Sequence, residues 1–324
     1  MPPAEQTIDR DVFPQSLSPS RAGDFLTCPL MYRFRTIDQL PSAPSAAAVR
    51  GTLVHEVLEK IFDLAPQDRN LDFATGLFAE AWINLCEADE TAARTLLPDG
   101  DDLPEPSTVA QMIVEPARPL LETYFAMEDP ATLEPHAREM ALSATLDSGL
   151  TIRGFVDRVD RSATGLIRIV DYKTGKSPSA GFETKAMFQM RFYALAWWRL
   201  TGELPELLQL MFLGNAEFVR YSPDASDLEA TERKILAIRD AISLAADRGD
   251  FRPTPSRLCG WCDFKQLCPE FGGTPPPLPQ RSEWISGSSR VTVALEQALH
   301  LNLQGTNQQF VSTPDNHQEK EATP

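Results

Sequence analysis

Two aspartates and a lysine on what read as neighbouring strands carry the most chemistry in this 324-residue chain. They stand in Gly154-Phe155-Val156-Asp157-Arg158-Val159-Asp160 and in Ile169-Val170-Asp171-Tyr172-Lys173-Thr174-Gly175. Side chains alternate along a strand, so Asp171 and Lys173 face one side, and Asp157 on the adjoining arm of a hairpin can face both. Two carboxylates converging at one edge of a sheet make a hard-oxygen site suited to Mg²⁺ or Mn²⁺. A lysine beside them can orient or polarise a water, or offset charge on a phosphoryl group in the transition state. That inventory suits phosphodiester hydrolysis. A bare Asp-x-Lys is equally at home as a solvent-facing ion pair. Here, however, residues 166–170 are apolar apart from Arg168, so Asp171 ends a partly buried strand, where an unpaired charge is costly. Gly175-Lys176-Ser177 resembles the end of a phosphate-binding P-loop, but that motif needs a glycine at position 170, which is Val170.

A second constellation is Cys259-x2-Cys262-x5-Cys268. Three thiols in ten residues argue for metal ligation in a reducing compartment rather than for disulfides. Three thiolates leave a tetrahedral centre incomplete. The candidate fourth is Cys28, in Phe25-Leu26-Thr27-Cys28-Pro29-Leu30-Met31-Tyr32-Arg33-Phe34. Four thiolates suit zinc or an iron–sulfur cluster, and spacing alone does not separate them, although zinc ribbons usually use two close pairs. The fifth cysteine, Cys86, has no motif around it and reads as an ordinary buried thiol.

These residues need elements to hold them. Residues 1–16 lack periodicity and read as a flexible arm. A helix starts near Pro19, with Ser18 as N-cap, and runs to about Phe34. A Pro-rich connector over 41–44 leads into a helical pattern over 46–64, with Val54, Val57, Leu58 and Ile61 on one face. Residues 65–130 read as a helical insertion with an acidic, Pro-rich loop near 97–106. Its last helix, 107–128, should be kinked or split by Pro116 and Pro119. The period then changes to two. Residues 137–147, 150–160 and 166–172 read as strands, with Ser162-Ala163-Thr164-Gly165 as the turn between the last two. A helix over 183–201, strand over 206–220, buried on both faces at its start, and a helix over 227–248 follow. Residues 273–324 read as a disordered tail containing a short amphipathic piece near 290–303. No internal repeat is present.

Hydrophobic residues make up 42% of the chain, enough for a substantial core. No secretory signal and no run long enough to span a membrane is seen, so a soluble, cytoplasmic protein is expected. The net charge of −16 is unusual for a partner of nucleic acid, whose phosphates attract basic surface. Its distribution softens the objection. Residues 86–105 hold seven acids against Arg94, whereas residues 150–200 hold nine Lys/Arg against four Asp/Glu. Two of those four, Asp157 and Asp171, are the candidate metal ligands.

Together these motifs resemble the RecB-like branch of the PD-(D/E)XK nuclease superfamily. Gly51-Thr52-Leu53-Val54-His55-Glu56 is similar to that family's histidine helix, and Gln189-Met190-Arg191-Phe192-Tyr193 to its Gln-x-x-x-Tyr motif. The resemblance covers about residues 17–272. It implies a restriction-endonuclease-like α/β core: a mixed central sheet flanked by helices. It implies a metal-dependent DNA exonuclease of repair or recombination, with His55, Asp157, Asp171 and the carbonyl of Tyr172 as ligands of Mg²⁺ or Mn²⁺. Lys173 would serve the attacking water, and Gln189 and Tyr193 would stand near the active site and DNA. Glu139, on the preceding strand, corresponds to an acid that some members use. One N-terminal cysteine with a C-terminal triplet resembles the 4Fe–4S clasp of AddB-type nucleases, implying Cys28, Cys259, Cys262 and Cys268 as ligands, with zinc the alternative. Arg158, Arg161, Lys176, Lys185 and Arg191 are candidate phosphate contacts. The expected partners are DNA, as single strands or duplex ends, and a separate helicase subunit. A second reading is a catalytically silent iron–sulfur subunit that binds DNA beside a helicase.

Overall fold

The computed structural model describes residues 13–42, 44–96, 106–178, 183–281 and 284, without the side chains of 106–110 and 183–185. Most of the expected arm, the acidic loop near 97–106, nearly all of the tail with its piece at 290–303, and the side chain of Lys185 lie outside the described residues. The chain divides into one unit over Met1–Gln280 and another over Arg281–Pro324. The sheet, its helices and all five cysteines belong to the first.

The sheet has six strands: β1 (Ser16–Leu17), β2 (Ala137–Thr145), β3 (Thr151–Arg161), β4 (Ile167–Lys173), β5 (Leu207–Phe212) and β6 (Glu217–Tyr221). Antiparallel β2 flanks one side of β3 along most of its length. On the other side, parallel β1 takes residues Thr151 and Ile152, and antiparallel β4 takes Arg158 to Arg161. Between them β3 is open over the stretch holding Gly154 and Asp157. β4 pairs parallel with β5, and β5 antiparallel with β6. The sheet is thus mixed, in the restriction-endonuclease-like manner. The stretch expected as one strand over 206–220 is a hairpin, because Gly214 and Ala216 (φ 55°) turn the chain.

Helix α1 (Pro19–Thr27) is capped by the Ser18 side chain, which accepts from Arg21 N. It stops earlier than the sequence pattern suggests, because Pro29 forces Cys28 into an extended conformation (φ −164°, ψ 113°). Helix α2 (Pro29–Tyr32) and a π-helical turn (Arg33–Ile37) complete the segment. Helix α3 (Ala46–Lys60) is capped by Ser45 and buries Leu53, Val54, Val57 and Leu58. It packs with α4 (Leu71–Gly76), α5 (Phe78–Ala88), α6 (Glu90–Arg94) and α7 (Pro106–Met127) around one apolar cluster that includes Val170 and Tyr172 of β4. Helix α7 runs through both of its prolines. Pro116 and Pro119 lie on the exposed face, while Ile113, Ala117, Leu121 and Tyr124 keep one buried face.

On the other face lie α8 (Glu183–Thr201), which links the parallel strands β4 and β5, and α9 (Ala225–Arg248). Alternation along β4 sends Val170 and Tyr172 to the α3–α7 layer and Asp171 and Lys173 to α8.

Candidate active site

The antiparallel ladder between β3 and β4 ends at Arg158↔Val170. One step further the strands splay, and Asp157 and Asp171 face each other across the fork. The main-chain N–H of Tyr172 donates to Asp157 Oδ2 (2.6 Å), so a carboxylate replaces the next rung of the ladder. On β2, Glu139 stands across from Asp157 in register and adopts φ 41°, a left-handed conformation costly for a glutamate. Strain of this kind persists where surrounding structure demands it, and here it lies at the acidic fork.

Helix α3 brings His55 to the same place. Its imidazole flanks the apolar face and keeps 28% side-chain exposure, with Nδ1 at 3.5 Å from Asp157 Oδ2. The ligand atoms of His55, Glu139 and Asp157 lie within 4.8 Å of one another. A cleft of about 550 Å³ opens beside them, lined by Gly51, Thr52, Glu56, Glu59 and Thr174 as well as His55 and Glu139. One imidazole and several carboxylates are hard donors of the type that holds Mg²⁺ or Mn²⁺.

Asp171 is buried behind this group. Its Oδ2 is 2.6 Å from Lys173 Nζ, and its Oδ1 accepts from Gln189 Nε2 (3.1 Å). Gln189 also takes a hydrogen bond from Lys173 Nζ (3.2 Å) and donates to the Tyr193 hydroxyl (2.9 Å). One amide on α8 therefore ties together the acid, the lysine and the tyrosine. The Tyr193 ring occupies the slot left by the missing side chain of Gly154, where a Cβ would lie 2.5 Å from Tyr193 Cε1. Gly154 is thus needed for close approach rather than for an unusual backbone angle.

The electrostatics follow from crowding. Burial, then the Asp157 carboxylate, pushes Asp171 up to about 6 against the pull of Lys173. Burial, then Asp157, pushes Glu139 up to about 7. Burial alone would lower His55, but the Asp157 hydrogen bond and the surrounding carboxylates outweigh it and raise its pKa. All three shifts carry the same sign for stability. A raised folded-state pKa stabilises the fold fully below the unfolded value, and the contribution is lost as pH rises through the folded value. The metal-free protein should therefore melt at lower temperature at about pH 8 than at about pH 6. If the ionised carboxylates hold Mn²⁺, its addition should remove most of that difference. Thermal melts with and without Mn²⁺ across this range check it.

The structure separates the basic candidates. Arg158, read from the sequence as a phosphate contact, is 1% exposed and paired with Glu128 and Asp160, so no DNA can reach it. The same alternation that sets Asp157 beside Asp171 places Arg158 with Tyr172 in the opposite layer, a signal present in the sequence. Arg161 pairs with Glu203, and the Arg191 guanidinium lies over the Tyr221 ring at 4.4 Å. Lys176 is exposed, two residues past the cleft-lining Thr174.

Cys28, Cys259, Cys262 and Cys268 line one small cavity of about 50 Å³. Cys28 Sγ accepts from Thr254 N (3.5 Å) and Cys259 Sγ from Ser256 N (3.3 Å). Burial raises the Cys268 thiol, and charge on the other three sulfurs adds to the shift. Beneath them Leu30, Phe34 and Phe264 form a separate apolar cluster, with Phe34 and Phe264 at 5.4 Å between ring centroids. Cys86 packs against the α3–α7 core, apart from the other four.

Comparison with known proteins agrees with this picture. The model of the PD-(D/E)XK nuclease superfamily matches residues 16–269. The chain is 27% identical over 289 residues to the Gene 69 protein of Mycobacterium phage L5, covering 78% of this chain and 96% of that protein. It is 26% identical over 279 residues to the Gene 69 protein of Mycobacterium phage D29, with the same coverage. It is also 28% identical over 167 residues to a subunit of the ATP-dependent helicase/deoxyribonuclease of Streptococcus mutans. That match takes in 51% of this chain and 14% of the much longer relative.

Proposed function

The chain belongs to the PD-(D/E)XK nuclease superfamily, and from that premise we propose that it is a divalent-metal-dependent DNA exonuclease of the RecB-like branch, acting in DNA repair or recombination. The observation that carries this reading is the meeting of His55, from a remote helix, with Asp157 and Glu139 beside the Asp171–Lys173 pair. Members of the superfamily use divalent metals, and the donors assembled here suit them. His55, Glu139, Asp157, Asp171 and the Tyr172 carbonyl would hold the ion. When bound, it polarises the scissile phosphate and offsets charge on the leaving 3′-oxygen.

The protein's own groups do the rest. Lys173 presents an ammonium at the carboxylate edge, placed to orient the attacking water and to stabilise charge gathering on the phosphoryl oxygens. Gln189 fixes the direction of both Lys173 and Asp171. Tyr193 accepts from Gln189 and so has its own proton available for a phosphate oxygen. Lys176 offers a phosphate contact at the end of the cleft-lining loop.

The four cysteines would hold a 4Fe–4S cluster that fastens α1 and α2 to the segment after α9. Four thiolates suit a single zinc as well as a cluster, and iron, sulfide and zinc analysis of the anaerobically purified protein separates the two. A helicase partner fits this reading, because the chain lacks a P-loop and its long relative is named as part of a helicase/deoxyribonuclease. No helix among the described residues is long and apolar enough to cross a membrane.

Anaerobically purified protein tests the proposal with end-labelled linear DNA and closed circular DNA, in Mg²⁺ and in Mn²⁺. Loss of label from linear single strands or duplex ends, with the circle intact, is the expected result. Failure to cleave either substrate in either ion would refute it.

A further inference from the structure

Directly behind the carboxylate fork, among the described residues, lies a buried charge cluster that the proposed reaction does not use. Arg158 is its centre. Its Nη1 and Nη2 donate to Glu128 Oε1 and Oε2 at 2.6 and 2.8 Å, and its Nε lies 3.0 Å from Asp160 Oδ1. Nη1 also donates to the Tyr172 hydroxyl at 2.6 Å. Arg168 closes the cluster, 2.7 Å from Asp160 and 3.6 Å from Glu128. The Tyr172 ring is held edge-on by Tyr124 (5.8 Å between centroids) and His55 (6.0 Å).

Tyr172 is the residue between Asp171 and Lys173, and its main-chain N–H is the donor to Asp157. Whatever fixes its ring also fixes that N–H and the directions in which its two neighbours leave the strand. Glu128 immediately follows α7, so the clamp reaches from the helical layer through Arg158 and Tyr172 to the carboxylates. A buried ion cluster is weak evidence of stability, since apolar residues of similar volume often serve as well. Groups one step removed from a metal's ligands, by contrast, commonly govern its affinity.

We propose that Arg158, Glu128 and the Tyr172 hydroxyl are positioning residues that set the geometry of Asp157 and Asp171 for the divalent ion. The helical layer of α4 to α7 is on this view part of the active-site scaffold. The inference rests on the reading that those aspartates hold a cation, and its test is separable from the test of nuclease activity.

Mn²⁺ binding to the full-length protein, followed by the electron paramagnetic resonance of the free ion, is measured for wild type, Tyr172→Phe, Glu128→Gln and Arg158→Met. All titrations are run well below the melting temperature, on protein shown to be folded by circular dichroism. The Mn²⁺ half-saturation should rise about tenfold in Glu128→Gln and in Arg158→Met, and by a smaller factor in Tyr172→Phe. On DNA the variants should lose kcat while KM for DNA stays near wild type. If Arg158→Met does not fold, the two milder variants carry the test. Half-saturation within twofold of wild type in the folded variants, whatever happens to their melting, overturns the proposal. A wild type that binds Mn²⁺ but leaves DNA intact would defeat the nuclease reading alone, and the clamp would still be judged from the titrations. A wild type that takes up no Mn²⁺ would defeat both.

Discussion

Asp171→Asn is expected to slow DNA cleavage by about three orders of magnitude or more, with no loss of melting temperature in the metal-free protein. The two effects have one origin. Asp171 is 3% exposed, and its carboxyl is pushed from 3.8 to about 6 by burial and by Asp157. At neutral pH its charge therefore opposes folding. Asparagine keeps the shape and removes the charge. It can still accept from Gln189, and Lys173, which is 29% exposed, can turn its ammonium toward water. What the substitution cannot restore is a carboxylate for the proposed ion and the lysine's fixed partner. Turnover of end-labelled DNA together with a thermal melt checks both halves. Undiminished cleavage would show that the acid at this position is not part of the site. Loss of activity accompanied by a collapse in melting temperature would mean that Asp171 is structural.

The second large effect concerns the cysteines. Cys28→Ser, purified anaerobically, should lose most of its iron and acid-labile sulfide, and its melting temperature should fall by at least about 10 °C. Cys28 ends α1, more than 220 residues before its proposed partners, so one bond set closes most of the chain into a loop. Ordering the unfolded chain without that closure is costly in entropy. The clasp has other ties: the Leu30–Phe34–Phe264 cluster, the Tyr32 ring stacked on Phe251 at 6.5 Å between centroids, an Arg33 hydrogen bond to the Pro276 carbonyl and an ion pair from Arg35 to Asp263. Arg35 is 40% exposed and Asp263 42%, so that pair is screened and contributes little. The other ties should keep the variant folded at room temperature while its melting temperature falls. Iron and sulfide at wild-type levels in Cys28→Ser would show that the fourth ligand lies elsewhere.

How much of this is legible in the sequence differs from element to element. The strands over 137–173 announce themselves by alternation and by a turn ending in Gly165, whose φ of 86° suits glycine. Ser18 and the apolar face of α3 are equally plain, because capping and helical period are local; the cap at Ser45 is equally local, but the helical pattern over 46–64 is read without it. The break at Cys28 is also local, since Pro29 restricts the residue before it, but the apolar pattern on either side runs on as if one helix continued. The continuity of α7 is not local. Whether Pro116 and Pro119 interrupt a helix depends on which face meets water, and that is decided by packing against α3, α4 and α5. The fork at Asp157 and the strained Glu139 depend on register across three strands, which no single window contains. Arg158 is legible in one respect only: alternation assigns it to the layer opposite Asp157. Its charge suggests a phosphate, yet Glu128, Asp160 and Tyr172 converge on it from separate elements, and a stretch of basic sequence does not reveal its acid partners.

On the proposed reading, His55, Asp157, Glu139 and Asp171 share one divalent ion where β3 and β4 splay apart. The most direct measurement is the anomalous difference density of a crystal equilibrated with Mn²⁺. A peak is expected about 2.2 Å from an imidazole nitrogen of His55 and from carboxylate oxygens of Asp157 and of Glu139 or Asp171. A well-ordered Mn²⁺ bound elsewhere, with His55 still hydrogen-bonded to Asp157 and the fork empty of density, would contradict it.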